Sequence, residues 1–196
     1  MTQRTSTRRL ILEAVVTCIE KFGLEQITTR KIAVEAGTNI ASINYHFRSK
    51  DHLVAEAFSM TIKHMLQDVF AAIDDSSRGF EATLTDVLFY LLEGSLRFPG
   101  ISRAHLNQAI RSPQRDTISA RAMSKVFDGL ASRAARAYPN KDQQLLRLRL
   151  AQVLSAVMLA ILKPDFFKVA RKYQLTSTKH AKQLAASYAA MFLAAI

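Results

Sequence analysis

The side chains best suited to recognising a polar partner are gathered between Thr28 and Lys50, in TTRKIAVEAGTNIASINYHFRSK. Thr28, Thr29 and Arg30 place two hydroxyls and a guanidinium at the start of a helical pattern, where free backbone N–H groups and the positive helix end favour phosphate. Asn39, Ile40, Ala41, Ser42, Asn44, Tyr45 and His46 follow on a second short pattern. Five of these are polar and Ala41 is small. A helix carrying such residues can approach a DNA major groove closely and offer amides and hydroxyls to base edges. Lys50 opens the next helix and can hold a phosphate on the far side. The chemistry implied is hydrogen bonding to a duplex, not bond making.

Catalytic alternatives are poorly supported. There is no Gly-rich phosphate loop, no His-Glu-x-x-His and no His/Cys cluster at metal spacing. Ser95, His105 and Asp86 could be imagined as a triad, but nothing in the sequence brings them together. We therefore expect no catalytic residues, no metal and no cofactor, and a protein that is not an enzyme. The one cysteine, Cys18, lies in the apolar series Leu10, Ile11, Ala14, Val15, Cys18, Ile19, Phe22 and reads as a core residue of a cytoplasmic protein.

Three helices are needed to position the polar stretch. Helix one covers Thr7 to Phe22 and stops at Gly23. Thr28 or Thr29 caps helix two, which runs to about Ala36, and Asn39 caps helix three, Ile40 to His46. Counting Thr29 as the first position, Ala33 is fifth, Gly37 ninth and Ile43 fifteenth. A small residue, then a glycine able to adopt the left-handed turn, then an apolar residue is the spacing of a helix-turn-helix. Ile32, Ala36, Ile40, Ile43 and Phe47 are the expected buried face, packed on Leu10, Val15 and Phe22. Ser49 caps a long helix four, Lys50 to about Asp74.

The remaining chain reads as five more helices: Phe80 to Arg97, Ser102 to Arg111, Gln114 to Ala137, Lys141 to Leu162 and Ser177 to Ala195. With 49% hydrophobic residues, 6 Gly and 4 Pro in 196 residues, the expected class is all-α with a sizeable core. The net charge of +11 is unevenly spread. Residues 1–52 hold 8 Lys/Arg against 5 Asp/Glu, residues 53–96 hold 2 against 7, and residues 97–196 hold 17 against 4. Most of the excess thus lies outside the stretch read as DNA-facing, and either a solvated surface or an anionic ligand accounts for it. The most apolar segment, Leu145 to Lys163, is interrupted by Arg147, Arg149 and Gln152, so no membrane span is expected.

The stretches RRLILEAVVTCIEKFG, TTRKIAVEAG, NIASINYHF and SKDHL resemble the DNA-binding motif of TetR-family transcriptional regulators, in its Ile-Asn-Tyr-His-Phe form. The resemblance covers about the first quarter of the chain. Thr38 stands where valine is usual after the turn glycine. The resemblance implies that Thr29, Tyr45, His46 and Lys50 contact phosphate and that Asn39, Ile40, Ala41, Ser42 and Asn44 face bases. It implies an N-terminal domain over 1–50 and a helical ligand-binding and dimerisation domain over 51–196.

Two helices of that second domain are apolar around most of their circumference and so are either deeply internal or shared between two subunits. The resemblance implies the second, a homodimer interface built from Leu150, Leu154, Val157, Ile161, Leu184, Tyr188, Met191 and Phe192. The residues between the DNA-binding unit and these helices read as ordinary core, but the resemblance implies an effector site there, with Met65, Phe89, Tyr90, His105, Gln108 and Phe127 as candidates. The implied activity is repression from a palindromic double-stranded DNA operator, relieved by a small-molecule effector. The alternatives are a DNA-bound structural or division-control protein of the same fold without an effector, and a helical enzyme or carrier with an incidental basic surface.

Overall fold

The computed structural model describes residues 2–111, 117–166 and 175–194, with side chains from Thr7 onward. All the regular structure of these residues is helical: α1 (Thr2–Phe22), a 3-10 turn (Leu24–Gln26), α2 (Thr29–Glu35), α3 (Ile40–His46), α4 (Lys50–Asp74), α5 (Phe80–Arg97), α6 (Pro99–Arg111), α7 (Ile118–Ala137), α8 (Gln143–Leu162) and α9 (Thr178–Leu193). The chain divides into two compact units, one ending at Lys63 and the other beginning at His64, within α4 rather than at its start.

In the first unit, Ile11, Val15, Cys18 and Ile19 of α1 are fully buried with Ile27, Ile32, Leu53 and Phe58, and Ile43 and Phe47 are almost so. Three residues expected in this core lie outside it. Leu10 is 50% exposed, Phe22 40% and Ile40 45%, while Ala36 is half-buried. The face of α1 that packs is set by Ile11, Val15 and Cys18, and Leu10 falls to one side of it. The ring of Phe22 instead receives the ammonium of Lys31, 4.3 Å from its centroid.

In the second unit α5 and α9 run antiparallel. Phe80 meets Phe192 at 5.3 Å between ring centroids, and nine residues further along α5 Phe89 lies under the Lys182 ammonium at 5.7 Å. The core includes Val69, Ile73, Leu84, Leu88, Leu92, Leu130, Leu150, Val153 and Leu184. Gly129 lets α7 close on α4: a Cβ there would lie 3.1 Å from the Phe70 ring. Phe98-Pro99-Gly100 does not merely stop α5. Phe98 caps it, and Pro99 begins α6 at a position where its missing N–H costs nothing. The expected start of helix seven at Gln114 lies outside the described residues; the described helix begins at Ile118, capped by the Thr117 hydroxyl. α8 begins at Gln143 because Asp142, not Lys141, accepts the first free N–H groups. By length and composition alone α8 is apolar enough to cross a membrane, as the core helix of a folded domain also can be, and here its Leu146, Leu150, Val153 and Val157 are buried in the core.

Candidate nucleic-acid interface

The caps and the turn that present α3 are formed as its residue types demand. Thr28 is extended and its hydroxyl accepts from the Lys31 N–H at 3.2 Å. At the other end of α2 the N–H of Gly37 donates to the Val34 carbonyl at 3.2 Å, and that of Thr38 to the Ala33 carbonyl at 3.0 Å. This paired ending requires a residue in the left-handed region, and Gly37 has φ 61°. Asn39 then caps α3, its Oδ1 accepting from the Ser42 N–H at 2.7 Å. The Ser49 hydroxyl caps α4 through the His52 N–H at 3.1 Å.

With Ile43 and Phe47 buried, the outward face of α3 is Ile40, Ala41, Asn44 and Tyr45, of which Tyr45 is 66% exposed. Ser42 and His46 lie half-buried on the opposite border, and the ring of His46 meets the edge of Tyr45 at 5.2 Å. The structure thus divides the residues that sequence placed together. Thr28, Arg30, Asn39 and Lys50 are exposed and Thr29 is half-buried. Lys50 Nζ also donates to the Ile27 carbonyl at 3.3 Å, which leaves its other protons outward.

Charge around this face is sorted by pairing. Glu35 is held by Lys21 at 2.7 Å, and Glu56 by Arg8 and His52. Among the described residues no carboxylate pairs with Arg30, Arg48 or Lys50. Arg48, exposed in the connection between α3 and α4, was not among the residues predicted from sequence. Its signal was its place two residues before Lys50.

The other predicted sites are less coherent. His105 and Gln108 of α6 do come together, through Ser119 of α7. The Ser119 hydroxyl donates to Gln108 Oε1 at 2.7 Å, and His105 Nδ1 lies 2.8 Å from Ser119 Oγ. The hydroxyl has one proton, so Nδ1 carries the proton of a neutral ring. Burial lowers the His105 pKa to about 4. Tyr90 departs from the expectation of an interior contact: it is 41% exposed and its hydroxyl bonds Asp68, which raises its pKa. Phe89 and Phe127 are half-buried, each beneath a cation, Lys182 and Arg147 respectively, and Met65 packs at the margin of the core.

The residues expected at the interface are divided by burial. Leu150, Val157, Leu184, Tyr188 and Phe192 are buried inside the chain's own second unit, and Leu154 and Ile161 are half-buried. Of the eight only Met191, 56% exposed, lies on the surface. A helix apolar on all sides does not declare which side faces inward. The exposed strips are Leu148, Gln152, Ser155 and Leu159 on α8, and Ala186, Ser187, Ala190 and Met191 on α9.

Residues 11–57, which include this interface almost entire, match the family described as bacterial regulatory proteins, tetR family. Along nearly its full length the chain is similar to the HTH-type transcriptional regulator BetI of Cronobacter sakazakii, 25% identical over 187 residues that cover 91% of each. Its fold is that of solved regulators. A TetR transcription regulator from Haloarcula marismortui superposes with a TM-score of 0.69 at 17% identity, over 95% of this chain and 97% of the other. FadR from Bacillus subtilis, solved in complex with stearoyl-CoA, gives 0.60 at 15% identity, over 91% and 97%. These are families and folds of transcriptional regulators and not of enzymes.

Proposed function

We propose that this chain, a DNA-binding transcriptional regulator of the TetR family, acts as a homodimeric cytoplasmic repressor released from a palindromic operator by a small molecule. The observation that carries the reading is the outward face of α3, Ile40, Ala41, Asn44 and Tyr45, bordered in sequence by Arg30, Arg48 and Lys50, cations without carboxylate partners among the described residues. Thr28, Thr29, Arg30, Tyr45, His46 and Lys50 hold phosphates and fix position, while residues of α3 face the bases.

Pairing of two copies suits the exposed apolar and small residues of α8 and α9, where Leu148 is 55% and Met191 56% exposed. A two-fold axis then brings two recognition helices to successive major grooves, about 34 Å apart. The effector acts by binding the released state better than the DNA-bound one, with a coupling on the order of 1–3 kcal/mol. His105, Gln108 and Ser119 are its first candidate polar contacts. Long-chain acyl-CoA is the first probe, as an amphipathic anion suited to an apolar domain with an excess of cations.

The test is selection of bound sites from random-sequence DNA at near-physiological salt, with the oligomeric state measured by sedimentation. Recovery of one palindrome with half-sites about one helical turn apart supports the reading. Weak, salt-sensitive binding without a motif, or a monomer on DNA, overturns it.

A further inference from the structure

We infer that the operator half-site is read as A·T base pairs, through a thymine methyl group against Ile40 and an adenine edge against Asn44. This rests on the DNA-binding reading and specifies what its recognition helix selects. Four observations carry it.

The seven residues of α3, Ile-Ala-Ser-Ile-Asn-Tyr-His, include neither arginine nor lysine. The commonest way to select guanine, a bidentate cation on O6 and N7, is therefore absent from the recognition helix. The nearby cations Arg30, Arg48 and Lys50 all lie outside it.

The amides are not equivalent. Asn39 caps α3: its Oδ1 accepts from the Ser42 N–H at 2.7 Å, which fixes the plane of its amide. A bidentate contact to adenine N6 and N7 needs the oxygen and the NH2 turned together to one base edge, whereas the cap holds this oxygen toward the helix backbone. Asn44 is exposed, and among the described residues no hydrogen bond engages either end of its amide. It is the one amide on this helix able to make the bidentate contact.

Ile40 is a large aliphatic residue that remains 45% exposed although Ile43, on the same short helix, is 2% exposed. With Ala41 it gives the leading end of the face an apolar surface, which in the major groove matches the thymine C5-methyl and no other group. Finally, Ile40 and Asn44 are four residues apart on one side of the helix. That is about 6 Å along its axis, or one to two base-pair steps. The thymine and the adenine are therefore near neighbours in the half-site.

The experiment uses the full chain and the motif recovered by site selection. Each thymine is replaced in turn by uracil, which removes only the methyl, and each adenine by 7-deazaadenine, which removes only N7. We expect one uracil position to weaken wild-type binding about fourfold, the loss of one buried methyl, and to have no effect on Ile40→Ala. One deaza position should weaken the wild type on the order of tenfold and leave Asn44→Ala unchanged. Ile40→Val, which keeps the fold and part of the apolar contact, should fall between. If every uracil is tolerated, if the methyl effect persists in Ile40→Ala, or if the selected half-site is dominated by guanines, the inference is wrong while the regulator stands. If no sequence is enriched at all, both fail.

Discussion

Lys50, the first residue of α4, donates its ammonium to the carbonyl of Ile27, the residue before the cap of α2, at 3.3 Å. One cation therefore ties the entry of the long helix to the entry of the helix-turn-helix while keeping protons for a phosphate. Lys50→Ala should weaken binding to all DNA sequences alike and reduce the slope of log affinity against log salt by about 1. A salt titration by fluorescence anisotropy checks this. An unchanged slope would mean that Lys50 is purely a structural tie.

Gly37 and Gly23 both have positive φ, 61° and 78°, and at neither would a Cβ meet another atom within 4 Å. The cost of Gly→Ala is thus backbone strain alone: about 1–2 kcal/mol for the left-handed turn at Gly37, and about 1–3 kcal/mol at Gly23, whose ψ of 154° places it in a region open essentially to glycine only. Urea unfolding should report a loss for Gly23→Ala at least as large as that for Gly37→Ala. DNA affinity should fall far more for Gly37→Ala, because only that turn leads into α3. Equal loss of affinity in both would argue against the assigned recognition helix.

Arg133 Nη2 donates to the carbonyls of Asp75 and Arg78, at 2.8 and 2.6 Å, and so holds the turn after α4 against α7. Arg133→Met keeps much of the aliphatic bulk and removes both bonds. It should lower stability by about 1–2 kcal/mol, read as a shift of the urea midpoint at constant slope. A change below a few tenths would show that water replaces the guanidinium without cost.

His105 is half-buried and neutral, with desolvation lowering its pKa from 6.5 to about 4. The unfolded chain takes up this proton below pH 6.5 and the folded chain only near pH 4. Stability is therefore whole above pH 6.5 and declines as pH falls from 6.5 to 4, by about 3 kcal/mol from this one group. His105→Gln should flatten that part of the curve. Denaturation at pH 7 and pH 4.5, wild type against variant, checks it, and parallel pH dependences would remove His105 as the cause.

Much of the first unit was legible because its signals are local. Caps at Thr28, Asn39 and Ser49 and the turn at Gly37 each act within five residues, so residue type and spacing were enough to define them. The second unit offered no such signals beyond helix periodicity. On α8 and α9 apolar residues occupy most of the circumference, and Leu150, Tyr188 and Phe192 could not be told from Leu148 and Met191 until the neighbouring helices were in place.

The sequence by itself determined the helices, the helix-turn-helix and the types of group that its second helix carries, because backbone sterics and capping are short-range. Only the tertiary structure decided which groups are free to act. It turned Ile40 outward and left both ends of the Asn44 amide open, committed Asn39 to its cap, and brought His105, Gln108 and Ser119 together across two helices. Burial and hydrogen-bond satisfaction depend on residues far apart in the chain, and those meet only once the helices have packed.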